Sequence, residues 1–470
     1  MASKSKRARM APVRDLSKNF FYWAMAVFII KLGIIFRIEG INAGSGDRVY
    51  FVDGAWLGAD GENYLMGYNA LVRDGIFSPE SVLSYWPAGY PLLILFLSIL
   101  GKSWVLTTLS IVQSLVFSYA VYFFAKQLYK TRLKKFAYLS LLLILFNPTL
   151  SLSSIAVGYE SLTASGLLLC VGLVIKSFVE KDDKKFLKYL ILSSAIFGLL
   201  SFVQPRLLLT GILTNLVWII AWRGLKAGAL MVALSLAITL FFPASLIYRN
   251  NQAIGINSIS TNLGVTMNIG AGDKATGGYG EEGYGVECDL SGTSAQQDNQ
   301  RVRCVLNWYL GNPIKAAELF YNKSVYFWSP WYGPVVGGTM ARNPWLTINP
   351  LKNIATTQDG FNLVYGGFGK VISWLWLLGG LALLLYGYIT LWRHNSLERF
   401  IGNLAMIAVV TNWLITLLTI GDHRFRIPIM GLSLFLQVIG LKTLLKGRKA
   451  PILDGPSLRY SSSPDRGQIF

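Results

Sequence analysis

The chain has 470 residues, of which 53% are hydrophobic, 13% aromatic and only 14% charged, with a mean hydropathy of +0.46. That hydropathy excludes a string of soluble domains and points to a polytopic membrane protein. The formal net charge is +19, but the cations cluster in short segments beside apolar runs, which marks membrane topology and argues against nucleic acid as a partner.

In chain order, a basic leader (1–18, with Lys4, Lys6, Arg7, Arg9, Arg14 and Lys18) precedes apolar runs. These runs lie near 19–38, 104–125, 137–155, 161–178, 187–203, 207–222, 227–247, 369–391, 399–419 and 427–445. Each is long enough to cross a hydrocarbon core of about 30 Å as a helix, so about ten spans are expected. The first run is long, follows basic residues and lacks a small-residue cleavage site, so it reads as a span and not as a cleavable signal peptide.

The stretch 91–100, "PLLILFLSIL", is too short to cross comfortably. If it did cross, the five cations of 126–135 would move outside. It therefore reads as a helix over 88–101 in the outer interface. The basic clusters at the leader, 126–135, 176–188, Arg223/Lys226, Arg393/Arg399 and 442–449 then face the cytoplasm. The resulting organisation is an N-terminal membrane region (19–247) with a first outer loop (39–103), a large outer loop (248–368), C-terminal spans (369–445) and a cytoplasmic tail (446–470). The large loop is rich in Gly, Asn, Ser and Thr and includes Cys288 and Cys304. Placement outside the cytoplasm would permit a disulfide between these cysteines and equally leaves two thiols open. The two histidines, His394 and His423, lie too far apart in this topology for a histidine-rich metal site.

Arg206 in "SFVQPRLLL" and the arginines of "GDHRFRIPI" are the cations this topology puts outside. An arginine at a helix centre costs about 2.5–3.5 kcal/mol on insertion scales, so such exceptions are functional candidates. Arg206, Arg424 and Arg426 offer planar forks suited to phosphate oxygens. Phe425, between the last two, is expected to point elsewhere and pack into lipid or protein. Two outward carboxylate sites face them: Asp60 and Glu62 in "GADGENYLMGYNALVRDG", and Glu160 in "SIAVGYESLTASG". Together these imply an outer-face site that holds a phosphate and activates a proton-bearing nucleophile.

The ordered motifs resemble bacterial polytopic glycosyltransferases of the GT-C fold, relatives of protein mannosyltransferases and aminoarabinose transferases. The resemblance runs over about 20–445. "DGENY" is similar to the family's first-loop acidic motif, and "YWPAGYPLLILFL" to its proline-glycine-tyrosine-proline element opening a juxtamembrane helix. "NPTLSLSSIAVGYES" matches its Pro-to-Glu pattern ending at Glu160, and "GLLSFVQPRLLL" its Arg/Pro turn. "YRNNQAIGINSISTNLGVTMNIGAGDKATGGYG" resembles its long Asn- and Gly-rich loop, and "GDHRFRIPI" its Arg-aromatic-Arg-x-Pro signature. The chain departs from the pattern in having Asp-Gly-Glu instead of adjacent Asp-Glu, and in placing Arg206 after its proline.

The resemblance implies an all-α polytopic membrane protein of GT-C fold in a bacterial inner or plasma membrane, with juxtamembrane helices and an outward-facing active site. The implied activity is transfer of a sugar, with inversion, from a polyprenyl-phosphate donor to a lipid, glycan or protein acceptor. Asp60 would be the general base. Glu62, Tyr64, Glu160 and Asn268 would position acceptor or sugar, with glycines of 264–278 lining the sugar pocket. Arg206, Arg424 and Arg426 would bind the donor phosphate. No cofactor is implied, although the paired acidic residues leave a divalent metal open. The alternative is a transporter or flippase for a lipid-linked or anionic solute using the same arginines. That alternative would want an inverted repeat and broken helices near the bilayer midplane, and the sequence displays neither.

Overall fold

The computed structural model describes residues 17–36, 50–52, 55–57, 60–278, 285–328, 367–394 and 397–446. Most of the expected leader (1–16) and the tail from 447 lie outside the described residues. The protein is an all-α polytopic membrane protein with one small sheet. Among the described residues, eight helices are long and apolar enough to cross a membrane, or nine if one bent pair is a single span.

The chain begins with α1 (Ser17–Ile35), followed by strands β1 (Tyr50–Val52) and β2 (Ala55–Leu57). Next come α2 (Gly61–Asp74), the single turn α3 (Val82–Tyr85) and α4 (Gly89–Leu97). Helix α5 (Val105–Tyr129) leads to α6 (Lys134–Leu145), α7 (Pro148–Leu152) and strand β3 (Ala156–Val157). Four long helices follow: α8 (Glu160–Glu180), α9 (Asp183–Val203), α10 (Leu208–Arg223) and α11 (Leu225–Ile254). A loop unit then holds α12 (Leu263–Ile269), α13 (Ser294–Gly311) and α14 (Pro313–Trp328). The chain then forms α15 (Gly367–Trp392), α16 (Leu397–Leu418) and α17 (Ile427–Lys446).

Two of the ten expected spans differ from a simple rod. The run at 137–155 bends by 60° between α6 and α7. Pro148 occupies the first position of α7, where a missing N–H is tolerated, and the Asn147 side chain accepts from the Leu150 N–H at 3.0 Å. The run at 369–391 lies in α15, whose stretch Leu378–Trp392 is a shorter apolar helix. The stretch 88–101 is helical and short, as expected: α4 continues into a 3-10 turn over Ser98–Leu100.

Helix α8 is the most enclosed candidate span, with 78% of its apolar window buried, against 22% for the α11 segment. A residue at the start of α8 is thereby delivered to the middle of the bundle, whereas α11 presents Leu230 and Phe241 outward. Lipid offers little hydrophobic drive between helices, so polar contacts help to fix their pairing. Asn215 of α10 donates to Ser194 of α9 at 3.1 Å and to Ser235 of α11 at 3.2 Å. Thr210 and Thr411 join α10 to α16 at 2.7 Å.

The sheet decides more than its size suggests. Strand β1 pairs antiparallel with β2, and β2 pairs parallel with β3, Leu57 facing Val157. Three residues after each of those partners come Asp60 and Glu160. Two carboxylates a hundred positions apart therefore leave neighbouring strands at the same offset. Arg249, 3% exposed at the end of α11, donates to the carbonyls of Ile76, Ser78 and Leu83. That grip fixes the segment 76–83 against the end of α11.

In the loop unit, Cys288 and Cys304 form a disulfide, and α13 starts with a capping box between Thr293 and Gln296. The unit is joined to the end of α16. Gly421 donates to the Gly277 carbonyl at 2.8 Å, and any Cβ on Gly270 would collide with the Thr419 carbonyl. Buried Lys323 donates to Tyr309 at 2.7 Å and to the Leu417 carbonyl at 2.9 Å.

Candidate active site

Asp60 stands at the N-terminus of α2 and is 6% exposed; Glu160 opens α8 and is 9% exposed. An unpaired buried carboxylate is costly, so each needs a cation or N–H donors. Arg424 supplies both. Its Nη1 lies 2.5 Å from Asp60 Oδ2, and its Nε lies 2.5 Å from Glu160 Oε1. One guanidinium thus bridges the two carboxylates, and at 5% exposure it is as buried as they are. A side chain on Gly158 would strike the Glu160 carboxylate, so glycine there keeps the seat open.

Arg424 is aimed by a 3-10 turn over His423–Arg426. Asp422 caps that turn by accepting from the Arg424 N–H at 2.8 Å, and Asn412 of α16 donates to the Phe425 carbonyl. With three residues per turn, side chains two apart point different ways. Arg424 and Arg426 therefore separate. Arg426 Nη1 donates to the Trp328 carbonyl at the end of α14.

Phe425 packs into protein, and it does so against a named partner: its ring centroid lies 3.8 Å from Cζ of Arg206. Arg206 also donates through Nη2 to Thr419 Oγ1 at 3.0 Å. Two guanidinium nitrogens in this area, Arg206 Nη1 and Arg426 Nε, are buried without a hydrogen-bond partner among the described residues. Buried donors of this kind call for an acceptor.

The walls near the carboxylates are tyrosines. Tyr64 is 3% exposed, its ring 4.8 Å from that of Tyr90 and 6.5 Å from that of Tyr159. Burial, reinforced by the negative charge of Asp60, pushes the Tyr64 phenol well above its ordinary range. It stays neutral. The Tyr159 ring centroid lies 5.4 Å from the Arg424 guanidinium.

The structure therefore brings together Asp60, Tyr64, Glu160 and Arg424, with Arg206 and Arg426 reached through the 3-10 turn. Glu62 is exposed on α2. Asn268 sits on α12, where its Oδ1 accepts from the Val286 N–H at 2.7 Å; two residues on, Gly270 packs against Thr419. The metal question turns on geometry. Arg424 fills the space between the two carboxylates, and among the described residues no group of three or more His, Cys, Asp or Glu side chains is placed to hold an ion. The residues as arranged do not fit a divalent metal.

Sequence reasoning passes over Tyr90 and Gln113. Tyr90 donates to Gln113 Oε1 at 3.1 Å and accepts from the Gly158 N–H at 2.8 Å. Gln113 in turn donates to the Ala156 carbonyl at 2.9 Å. The pair braces the segment that delivers Glu160. One signal for it exists in the sequence: Gln113 is an amide inside the apolar run 104–125, where an unpartnered polar side chain is expensive.

No protein-family model matches the chain, and no curated protein matches it. Among solved structures it is similar to the archaeal oligosaccharyltransferase AglB from Archaeoglobus fulgidus in complex with an inhibitory peptide and a dolichol-phosphate. That match has 14% identity and a TM-score of 0.45, and covers 92% of this chain and 51% of the other. The A. fulgidus oligosaccharyltransferase tethered to an acceptor peptide containing the NVT sequon matches at 12% identity and a TM-score of 0.43, covering 90% of this chain and 50% of that one. The apo form matches at 14% identity and a TM-score of 0.45, covering 90% and 51%. The chain spans about half the length of the solved structures it matches.

Proposed function

We propose that the chain is an integral-membrane glycosyltransferase of GT-C type that moves a sugar from a polyprenyl-phosphate donor to an acceptor on the non-cytoplasmic face. One observation carries the reading. A buried carboxylate pair held by its own arginine lies beside two further arginines that keep buried, unpartnered N–H groups. Such N–H groups suit phosphate oxygens.

In this mechanism the acceptor's hydroxyl or amine attacks the anomeric carbon of the donor sugar. Asp60 takes the proton from the attacking atom. The bond between that carbon and the phosphate oxygen breaks, and its electron pair leaves with the polyprenyl phosphate. One displacement inverts the anomeric centre. The donor diester carries about one negative charge and the departing monoester approaches two, so cations aimed at it bind the transition state more strongly than the ground state. Arg206 and Arg426 are suited to that role. Arg424, engaged by Asp60 and Glu160, holds the carboxylates in place, and Glu160 with neutral Tyr64 positions acceptor or sugar hydroxyls.

The outward orientation gains support from the loop unit. The segment that contacts Thr419, beside Arg206, belongs to the same loop as the Cys288–Cys304 disulfide, and disulfides persist in oxidising compartments. The direct test is radiolabelled sugar incorporation in membranes containing wild type or Asp60→Asn. Label transferred by wild type and lost in the variant supports the proposal. Movement of an intact lipid-linked solute across the bilayer, with no glycosidic bond made, would replace it with the transporter reading.

A further inference from the structure

We infer that Arg424 is a built-in substitute for a divalent cation: the site holds Asp60 and Glu160 together with a guanidinium, and sugar transfer runs without a metal ion. The transfer part rests on the proposed function above; the binding part does not. The geometry carries it. Two carboxylates, on segments brought side by side by the β2–β3 pairing, converge on one position, and that position is filled by the chain's own cation at 2.5 Å from each. Asp60 and Glu160 are 6% and 9% exposed, so two adjacent negative charges there need a cation between them. Carboxylate oxygens grip Ca2+ at about 2.3–2.6 Å and Mg2+ at about 2.0–2.1 Å, with water completing the shell. Arg424 instead contacts each carboxylate through a different edge of its planar fork, Nη1 on one and Nε on the other. It fixes their orientation while donating hydrogen bonds that no metal supplies. The guanidinium is itself restrained by the Asp422 cap on its backbone and by the Tyr159 ring.

The same geometry has a consequence for the variant. Without the guanidinium, two buried carboxylates face each other across an open space, and a small divalent ion with water ligands is the simplest replacement. Mn2+ is the probe. Detergent-purified, EDTA-stripped protein is titrated with Mn2+ and followed by electron paramagnetic resonance and by thermal unfolding. Wild type is expected to bind no stoichiometric Mn2+ and to change its transfer rate by less than about twofold in EDTA. Arg424→Ala is expected to bind one Mn2+ per chain and to unfold at a higher temperature when Mn2+ is added, because a ligand that binds only the folded form stabilises it. The double variant Arg424→Ala/Asp60→Asn is expected to do neither. One Mn2+ bound by wild type and lost in Asp60→Asn overturns the inference. So does EDTA inactivation of wild type reversed by Mn2+, or a folded Arg424→Ala that ignores Mn2+. If Arg424→Ala does not fold, Arg424→Gln retains side-chain volume and the wild-type measurements still decide. A wild type that transfers no sugar refutes the proposed function and leaves the Mn2+ arms standing.

Discussion

The two halves of the site differ in how far their charges are satisfied within the chain. On the carboxylate side, Asp60, Glu160 and Arg424 satisfy one another across short contacts in a buried space. On the arginine side, Arg206 and Arg426 have polar partners in Thr419 and the Trp328 carbonyl, yet each keeps a buried nitrogen without one among the described residues. The first half is preorganised by the fold; the second keeps donors to spare, which under the proposed function would meet the donor phosphate. That difference moves the expected phosphate contact away from Arg424 and toward its two neighbours.

The sharpest way to break this comparison is at Asp60. If it is the proton acceptor, Asp60→Asn lowers transfer by about 10²–10⁴-fold while nearly preserving side-chain shape. Rates are read with purified, monodisperse protein at saturating donor. Near-normal turnover in Asp60→Asn, together with loss in Glu62→Gln, would hand the role to the exposed Glu62.

Next in size are Arg206→Lys and Arg426→Lys. An ammonium keeps the charge and loses the planar fork. A hydrogen bond to a charged group contributes about 1.5–3 kcal/mol, so each variant should lose about tenfold to a hundredfold in maximal rate. Turnover at saturating polyprenyl-phosphate sugar is the measurement. Full activity in both would leave these arginines as structural contacts to Thr419, Phe425 and the Trp328 carbonyl.

A smaller effect tests the joint between the loop unit and α16. Burial pushes the Lys323 ammonium down to about 7 from its ordinary 10.5. Between those values the unfolded chain holds a proton that the folded chain has released, so stability rises with pH from about 7 to about 10. Below about 7 both forms are protonated and the cost of burying the charge is fully present. Lys323→Met should flatten this rise in melting temperature. An unchanged slope in the variant would assign the pH dependence elsewhere.

The smallest expected effect is at Asn268. Its side chain holds the Val286 N–H, and Asn268→Ala leaves that donor unpaired at a cost of about 1–3 kcal/mol. The variant should melt earlier with a nearly normal rate in the folded fraction. A large fall in rate without a fall in melting temperature would instead put Asn268 against the sugar.

Much of the molecule can be read from local features. Apolar length locates the spans, and Arg206, Arg424 and Arg426 stand out because each is a cation at the edge of an apolar run, where insertion is costly. Asp60, Glu160 and Tyr64 emerge from short motifs. Tyr90 and Gln113 escape notice because a brace of this kind joins residues from separate elements, and neither residue type signals its partner. Cys288 and Cys304 are visible as a pair, but their union depends on the backbone path of the loop unit.

What the sequence by itself determines here is therefore one-dimensional: which segments are apolar enough to enter the membrane, and which polar residues need a justification. These follow from transfer free energies that each segment meets alone. Only the tertiary structure decides who meets whom. Glu160 and Arg424 are 264 positions apart; they touch because α8 lies at the centre of the bundle and the 3-10 turn aims Arg424 toward its first residue. The same turn sends Arg426 to another side and sets Phe425 beside Arg206. No local propensity encodes those directions, because a buried charge takes whichever partner the packed helices bring within hydrogen-bond reach.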